Sequence, residues 1–433
     1  MKNIFLYSLK FLLKLLAKET ISWYKPGLIG VTGNVGKTST KEAIRVVLSS
    51  VRSIRSASKN FNNELGLPLV ILSDSQKTGG AFFWLKIILA GFFQLVFKNR
   101  SYPEILLLEY GVDRPNDMKY LLDIARPQIA VVTAIGEIPV HIEFFAGSES
   151  IAKEKSKIIS QLPSTGFAIL NADDEKVLKM KEQTRAQIIS FGFSKNAQMR
   201  VSGFEEYISG NEAGIRFKLS NGGRFVPVVI KNALGKTQCY SSAAAACVGS
   251  IFGLNLVRIA ENLASYEPPV GRLKLIKGVK QSFIIDDSYN ASPNSMNEAL
   301  ETLKRLKASR KIAVLGDMLE LGQYTMEAHS TIGEKVAKIA DILITVGIRG
   351  KFIAEMALKK GMNKKNVLSF NRLDEAGLEL QKIIKKGDLI LVKASQGVRL
   401  EKIVKEVMAE PEKAEELLVR QNTEWLAKTG LYE

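Results

Sequence analysis

One segment near the N-terminus constrains the fold more than any other: a glycine-rich loop between a strand-like and a helix-like run. The apolar residues 27–29 precede it, and residues 41–48 follow it with helical apolar spacing. In this context, glycines let backbone N–H groups converge on phosphate oxygens, and the new helix adds its positive N-terminal end. A lysine and a hydroxyl complete such a site. The sequence therefore predicts a loop that binds a nucleoside triphosphate, formed by Gly33, Asn34, Val35, Gly36, Lys37, Thr38 and Ser39.

The loop departs from the common phosphate-loop pattern GxxxxGK[ST]. Val31 occupies the place of the first glycine, so Gly33-x-x-Gly36-Lys37-Thr38 describes the segment better. The alternative interpretation is an ordinary strand-to-helix turn that happens to contain Gly36, Lys37 and Thr38.

Apolar runs alternate with helical patterns along the rest of the chain. Its 433 residues suffice for two or three domains, each with its own core. Continuous apolar runs, typical of strands buried in a parallel sheet, occur at 105–108, 129–132, 167–170, 283–285, 311–315, 342–346 and 389–392. Residues 199–230 instead predict short antiparallel strands.

Pro268, Pro269 and Gly271 separate the two sets of strands and give the best domain boundary. We therefore expect an α/β protein. A central P-loop ATPase domain, with a mostly parallel sheet and a small antiparallel part, precedes a second doubly wound α/β domain. The expected boundaries are 1–26 for an N-terminal helix, 27–268 and 269–410 for the two domains, and 411–433 for a charged helical tail.

Two apolar segments bear on membrane contact. Residues 1–26 predict an amphipathic helix with a narrow basic edge, because Lys10, Lys14 and Lys18 recur every four residues. These lysines argue against a spanning helix, and there is no signal-peptide cleavage pattern. The helix either docks onto the protein's own body or attaches to a membrane surface. The stretch from Ala81 to Phe97 predicts a helix that is buried or touches a membrane, which would place the protein at the inner face of the membrane.

Charge and cysteine content narrow the partners and the compartment. The formal net charge of +17 favours anionic partners. No nucleic-acid motif accompanies the lysines, so nucleic acid is not an expected partner. Cys239 and Cys247 lack metal-like partners and cannot form a disulfide framework, which favours a reducing cytoplasm.

Polar residues follow several predicted strands, where α/β sheets open into a ligand crevice. Glu109 directly follows one strand and His141 lies just past another, so both are candidates to share a Mg²⁺ ion with Thr38. Magnesium prefers oxygen, which would make the histidine a minority ligand. For each residue the alternative is a surface position, or a hydrogen-bonded polar side chain with no part in ligand binding. Three more polar strand ends, at 286–293, 316–322 and 393–395, predict a ligand site in the second domain.

Taken in order, these motifs resemble the ATP-dependent Mur ligases of peptidoglycan precursor synthesis. The most specific segments are NFNNELGLP at 60–68, DDSYNASPNSM at 286–296 and VLGDMLELG at 314–322, followed by His329. The last two are similar to the branch that adds a dipeptide, D-alanyl-D-alanine, rather than a single amino acid. The resemblance implies an enzyme that uses ATP and Mg²⁺ to phosphorylate the terminal carboxylate of a cell-wall peptide precursor, after which an amine attacks the acyl phosphate.

The resemblance also implies residue roles. Lys155 matches a lysine that becomes carbamylated and joins Thr38, Glu109 and His141 as a metal ligand, although the spacing of the run Lys153, Lys155, Lys157 does not itself single it out. The implied catalytic residues are Lys37, Lys155, His141 and Arg272. Asp287 and Tyr289 join the phosphate loop in binding the nucleotide. The implied substrate contacts are Asn62, Asn63, Asn290, Ser295, Lys393 and Ser395.

Several departures from the family pattern leave alternatives open. The family normally carries an N-terminal domain that grips the uridine nucleotide, whereas one predicted helix precedes the phosphate loop here. The loop from Gly136 to His141 is longer than usual, and Ser241 replaces an asparagine of the adenine-side motif. A ligase with another amine or carrier is therefore one alternative. A catalytically silent nucleotide-binding scaffold for cell-wall enzymes is another, and the intact phosphate-loop lysine and metal-site residues argue against it.

Overall fold

The computed structural model describes residues 2–57, 61–75, 77–97, 99–139, 141–209 and 212–432. Over these ranges the strands form one sheet of nine strands and one of six. The first sheet contains β1 (Gly27–Thr32), β2 (Ile54–Ser56), β3 (Ile105–Glu109), β4 (Ile129–Val132), β5 (Phe167–Asn171), β6 (Gln187–Gly192), β7 (Met199–Ser209), β8 (Glu212–Asn221) and β9 (Arg224–Lys231). The second contains β10 (Lys274–Lys277), β11 (Phe283–Asp286), β12 (Arg310–Gly316), β13 (Ile342–Val346), β14 (Val367–Phe370) and β15 (Asp388–Lys393).

The helices connect and cover these strands. They are α1 (Lys2–Tyr24), α2 (Lys37–Leu48), α3 (Gly66–Leu72), α4 (Ala81–Val96), α5 (Asp117–Ile124), α6 (Ser148–Ser160), α7 (Glu175–Leu178), α8 (Lys236–Ile251), α9 (Leu256–Leu263), α10 (Pro293–Arg305), α11 (Thr325–Val336), α12 (Gly350–Lys359), α13 (Leu373–Ile383), α14 (Glu401–Val407), α15 (Ala414–Leu417) and α16 (Thr423–Leu426).

The first sheet has the order β2-β3-β1-β4-β5-β6-β7-β8-β9. Its strands are parallel from β2 to β7, and β7, β8 and β9 form an antiparallel meander. The chain leaves β1 for strands on one side and later returns to its other side, so the loop after β1 lies at a topological switch point. This is where α/β sheets bind ligands.

The second sheet has the order β10-β11-β15-β12-β13-β14, with only the β10–β11 pair antiparallel among its described strand pairs. Because β15 inserts between β11 and β12, the polar segments that follow these three strands meet at one edge. The predicted α/β class, with a small antiparallel part and a second doubly wound unit, is confirmed.

Small side chains let two helices pack closely on one face of the first sheet. In α8, the residues from Ala243 to Val248 are fully buried, and they pack in one core with Ala43, Ile44 and Val47 of α2. The alanines bring α8 close to α2, which fixes the direction in which α2 leaves the phosphate loop.

The N-terminal helix α1 docks onto the protein's own body. Leu13 is fully buried in an apolar cluster that also contains residues of α3 and α4. The three lysines of its basic edge all bind acidic residues of the protein. Lys10 pairs with Glu64, and both Lys14 and Lys18 pair with Asp123. The apolar side of α1 packs against α3 and α4, and this packing brings the lysines close to Glu64 and Asp123. Among the described helices, none has the length and apolarity to cross a membrane.

Candidate functional site

The phosphate loop turns sharply at two glycines. Gly33 has a φ of 138° and Gly36 a φ of 85°, values that favour glycine. A Cβ on Gly33 would lie 2.0 Å from Oγ1 of Thr133, so no side chain fits there. Lys37 Nζ donates to the Gly33 carbonyl at 2.9 Å. The loop therefore curls around the start of α2, whose first N–H groups have no intrahelical partners and are suited to bind an anion.

Glu109 lies beside this loop because it pairs in register with Val31 across β3 and β1. Thr38 Oγ1 lies 3.3 Å from Glu109 Oε2, and Lys41 Nζ lies 3.3 Å from the same oxygen. Asn62 Nδ2 donates to Oε1 at 3.1 Å. Burial opposes ionisation of Glu109, but the charges of Lys41 and Lys37 outweigh it and hold its pKa below the usual range. The carboxylate is therefore anionic and positioned next to a hydroxyl.

The structure separates Lys155 from the neighbouring lysines of α6. Lys155 is 1% exposed, whereas Lys153 is exposed and Lys157 pairs with Glu154 at 2.6 Å. Burial, with a contribution from the charge of Lys37, lowers the pKa of Lys155 to about 7. A large fraction of its amine is therefore neutral at neutral pH, unlike an ordinary lysine.

His141 adopts a left-handed backbone conformation, with φ 67°. Its Nε2 lies 3.2 Å from Asp113 Oδ1 and its Nδ1 lies 2.8 Å from Glu320 Oε2. Within the described ranges, no three or more His, Cys, Asp or Glu side chains are grouped to hold a metal ion. His141 therefore contacts both the loop after β3, through Asp113, and the loop after β12, through Glu320. A metal ion shared by Glu109 and His141 stays a prediction.

The second half of the site is organised by two cationic side chains. The Arg272 guanidinium lies 4.1 Å from the centroid of the Tyr289 ring. Lys393, fully buried, pairs with Asp287 Oδ2 at 2.6 Å and donates to the Asn290 carbonyl at 2.9 Å. The Lys393–Asp287 pair therefore holds the loop after β11 against the end of β15.

Other predicted substrate residues use their side-chain oxygens to hold turns. Asn63 Oδ1 accepts N–H groups at the start of α3, and Ser295 completes the capping box of α10. Ser395 Oγ accepts the N–H of Leu319 at 2.9 Å, and Asn290 Oδ1 accepts the N–H of the next residue. Their main structural role is to shape the walls of the site.

The two halves enclose a cleft of about 870 Å³, which we call the central cleft. It brings together most of the residues predicted from the sequence. Those that line it are Asn34, Val35, Gly36, Lys37, Thr38, Asn62, Glu109, His141, Lys155, Arg272, Tyr289, Asn290, Ser295 and Ser395. Ser39, Asp287 and Lys393 line a small adjoining cavity. Gly33 lies outside the lining and acts through the loop conformation.

Two further cavities open from the central cleft. The first, of about 610 Å³, shares Val35 and Gly36 with it and is also lined by Asp173, Tyr240 and Ser241. There, the Tyr240 hydroxyl donates to Asp173 Oδ2 at 2.8 Å. We call this the nucleoside-side cavity, because it lies beyond the phosphate loop and is large enough for a small ligand.

The second cavity, of about 850 Å³, shares Asn62, Gly111 and Asp113 with the central cleft and reaches Lys10 and Lys14 of α1. We call it the α1-side cavity. It also includes Asn63, which accounts for the one predicted substrate residue that the central cleft and its small neighbour leave out.

Sequence reasoning missed several residues of the site. Lys41 gave no signal, because it looks like any lysine on a helix. Arg399 lies four residues after the polar segment 393–395, so its position in the sequence could have marked it as a site residue. Trp425, Lys428 and Leu431 also line the central cleft, and nothing in the spacing of the tail predicts this.

Comparison with known proteins agrees with this geometry. Residues 91–249 match the model of the Mur ligase middle domain, and residues 271–396 match that of the Mur ligase, glutamate ligase domain. The UDP-N-acetylmuramoyl-tripeptide–D-alanyl-D-alanine ligase of Bacillus subtilis is 33% identical over 92% of this chain and 79% of its own length. That of Rickettsia prowazekii is 30% identical over 88% and 78%. The structure of MurF ligase from Thermotoga maritima in complex with ADP aligns with a TM-score of 0.77 and 28% identity, over 94% of this chain and 84% of that one.

The matched ranges include strands of both sheets and the cleft residues between 109 and 155 and between 272 and 396, whereas the cleft residues at 34–62 and 397–431 lie outside them. Identity of 33% over most of both chains is too extensive to reflect a shared fold alone. The chain belongs to the Mur ligase family.

Proposed function

We propose that this chain is an ATP-dependent ligase that joins D-alanyl-D-alanine to the peptide of a muramyl cell-wall precursor. The observation that carries the proposal is the central cleft, which the phosphate loop and Glu109 line together with Arg272, Tyr289 and Ser395. The Bacillus and Rickettsia relatives, whose names state this reaction, support it.

In the first step, the terminal carboxylate of the precursor attacks the γ-phosphorus of ATP. The bond to the β–γ bridging oxygen breaks, which gives an acyl phosphate and ADP. Catalysis of this step depends on positioning and on neutralising phosphate charge. The phosphate loop and the N-terminus of α2 bind the phosphates, Lys37 supplies a cation at the transferring group, and the base and ribose occupy the nucleoside-side cavity.

The donor set of the cleft fits a hard divalent cation. Thr38 and Glu109 already place a hydroxyl and an anionic carboxylate together, and a Lys155 carbamate would add oxygen ligands, which Mg²⁺ prefers. His141 completes the proposed set. When bound, Mg²⁺ would neutralise phosphate charge. Formation of the carbamate requires a neutral amine, which the lowered pKa of Lys155 supplies.

In the second step, the free amine of the dipeptide attacks the acyl carbon and releases phosphate, and the nitrogen loses a proton to form the amide. Arg272 lines a small cavity together with residues of the phosphate loop and is suited to bind the oxygens of the acyl phosphate. Closure of the two halves over the cleft would exclude the water that otherwise hydrolyses this intermediate.

A product assay tests the proposed function. Purified protein, ATP and Mg²⁺ are incubated with a muramyl tripeptide precursor and one of several amines, and ADP and ligation products are measured by mass spectrometry. We expect ADP release and a product that contains D-alanyl-D-alanine. Product only with single amino acids would contradict the assignment, as would ADP release that no acceptor stimulates.

We also propose that residues 27–268 and 269–410 act as two domains, each carrying one sheet, with the reaction between them. This would let the halves open for substrates and close for catalysis, as hinged domains do.

We further propose that the protein works at the inner face of the cytoplasmic membrane, with α1 and α4 on the lipid surface. In α4, the buried Trp84, Ile87 and Gly91 form one stripe. The opposite stripe is also apolar and is exposed, at Phe82, Leu85, Leu89, Phe92, Phe93 and Val96. A helix at an ordinary water-facing surface is polar on its outer side, so this outer face suits an apolar environment.

Helix α1 extends this apolar surface. Its exposed side chains include Tyr7, Phe11, Leu15 and Trp23, and the first three are four residues apart and so share one helix face. Lys10, Lys14 and Lys18 are paired with acidic residues of the protein, but Lys25, Lys86 and Arg100, in or beside these helices, are exposed and form no ion pair among the described residues. An anionic lipid surface attracts basic residues close to it by about 1 kcal/mol each, so charge and apolar exposure favour the same occupant.

A further inference from the structure

We propose that residues 422–432 of the C-terminal tail form the binding site for the carboxylate end of the incoming amine substrate. This inference rests on the proposed ligase function, since an amine joined at its nitrogen keeps its carboxylate free. It adds a specificity-determining wall to the central cleft that neither matched domain includes.

The tail is fixed to the second domain by defined contacts. Arg399 Nη1 donates to the carbonyls of Trp425 and Lys428 at 3.1 and 2.9 Å. The Leu431 N–H donates to the Gly397 carbonyl at 3.0 Å, and the Tyr432 hydroxyl donates to the buried Asp317 at 2.6 Å. These contacts tie the tail to the loops after β15 and β12, so its position relative to the cleft is set by the same loops that carry the site.

Four tail residues line the central cleft: Trp425, Lys428, Thr429 and Leu431. Leu431 is 58% exposed, an unusual setting for a leucine that is also anchored through its backbone. Lys428 Nζ lies 4.4 Å from the centroid of the Trp425 ring and 2.8 Å from Glu424. That ion pair is solvent-exposed and therefore weak, so it leaves the lysine able to bind another anion.

Arg399 provides an independent observation. It is 2% exposed, lines the cleft and is held through Nε by Glu401 at 2.5 Å. Its Nη2, however, is buried and has no hydrogen-bond partner among the residues that the structure describes. Buried donors are rarely left unpaired. An anion at this wall would satisfy Nη2 with a charge-assisted hydrogen bond.

The connections of the cleft assign this wall to the third reactant. The nucleoside-side cavity opens past Val35 and Gly36, and the α1-side cavity opens past Asn62 and Gly111. If ATP and the precursor occupy these two, the tail wall is the side left for the amine. Two cations beside exposed apolar groups fit a short apolar peptide with a free carboxylate.

The test compares Lys428→Ala with Lys413→Ala, a control that removes another exposed tail lysine with a similar acidic partner at 2.6 Å. We expect Lys428→Ala to raise the KM for D-alanyl-D-alanine by about tenfold, the usual effect of losing a charge-assisted hydrogen bond. The KM for ATP and kcat should stay within about twofold. The control should match the parent protein, and all three should share one melting temperature.

A dipeptide amide, which lacks the carboxylate, separates charge recognition from a general disturbance. The parent protein and Lys428→Ala should use the amide equally well. Calorimetry on protein loaded with ADP should show that Lys428→Ala binds the dipeptide more weakly than the parent does and binds the amide with equal affinity. Unchanged dipeptide KM and affinity in Lys428→Ala would overturn the inference, as would an equal loss with the amide. If the parent protein instead ligates a different amine, the proposed function fails, and the carboxylate and amide forms of that amine decide the role of the tail separately.

Discussion

At the scale of single residues, neighbouring lysines have very different roles. Lys37 donates a hydrogen bond to the Gly33 carbonyl of the phosphate loop, and Lys41 forms an ion pair with Glu109. Lys155 is buried, and its pKa is lowered to about 7. Lys41 and Lys155 are equally buried, each 1% exposed, so the difference between them comes from the nearby charges, Glu109 for Lys41 and Lys37 for Lys155. Three predictions belong to this scale.

The first concerns Lys37. Lys37→Ala should reduce ATP turnover by at least about 100-fold, because a cation is lost at the group whose charge must be neutralised. The melting temperature should change little, since Lys37 donates to one loop carbonyl. Lys153→Ala, which removes an exposed lysine, is the matched control. Normal turnover in a folded Lys37→Ala protein would refute the phosphate-loop assignment.

The second concerns Lys155 and pH. Its lowered pKa leaves the amine neutral above about pH 7 and protonated below, and only the neutral form can take up carbon dioxide. Activity should therefore fall as the pH drops through 7, and added bicarbonate should restore it in part. Lys155→Ala should be nearly inactive and partly rescued by short carboxylates, whereas Lys157→Ala should stay active. If the active enzyme, supplied with ¹³C-bicarbonate, shows no carbamate carbon by ¹³C NMR under native conditions, the carbamate is contradicted.

The third concerns Asp286, where burial raises the pKa to about 6. The folded protein thus holds this proton more tightly than the unfolded chain, whose aspartates titrate near 3.9. The stabilisation that this proton gives the folded protein, about 3 kcal/mol, is fully present below pH 4 and is lost as the pH rises to 6. Asp286→Asn should therefore gain stability relative to the parent between pH 4 and 7, as measured by denaturant unfolding. A difference that does not vary with pH would exclude the raised pKa.

At the scale of elements, helices α1 and α4 each use two faces. One face packs into an apolar cluster around Leu13, Trp84 and Ile87, and the other leaves aromatic side chains exposed. Sequence periodicity identifies both helices but cannot divide their apolar residues between these faces. The proposed membrane contact depends only on the exposed set.

Vesicle binding tests that set. The parent protein should sediment with vesicles that contain phosphatidylglycerol, bind less as salt increases, and ignore pure phosphatidylcholine. Phe92→Ser with Phe93→Ser should weaken binding by about tenfold or more, because two rings that would be buried in the lipid surface are lost. Phe225→Ser, at an exposed phenylalanine of β9, is the control, and ATP turnover on soluble substrate should be unchanged. Equal binding by all variants, or a concentration-dependent dimer that ignores vesicles, would overturn the proposal.

At the scale of the whole molecule, function depends on contact between the two sheets' loops. His141 meets Glu320 across the cleft, and Gly136, with φ 79°, lies against Asn294 at the start of α10. A Cβ on Gly136 would lie 1.7 Å from Asn294 Nδ2, so any side chain at this position must displace the Asn294 side chain.

Gly136→Ala should therefore disturb the contact between the two halves at Asn294. We expect kcat to fall by about tenfold, since small misplacements of reacting groups are costly, while each half stays folded. Gly136→Ala combined with Asn294→Ala should recover part of that loss, because the clash is relieved. A double variant no better than the single one would mean that backbone strain at the positive φ, rather than the clash, causes the defect.

The sequence by itself determined the α/β class, most of the parallel strands of both sheets and the glycine-rich turn after β1. Buried parallel strands need continuous apolar runs, and the loop needs glycines at fixed places, so both leave local marks. It missed β2, β6, β10 and β14. Two of these, β2 and β14, lie at the edges of their sheets and have no fully buried residue.

Only the tertiary structure decided which of three alternating lysines is buried, that His141 pairs with Asp113 and Glu320, and that the lysines of α1 bind the protein's own acids. It also placed the tail against the central cleft. These features depend on which distant segments meet, and on the burial and electrostatic field that result. Such quantities are properties of the assembled chain and leave no pattern in local spacing.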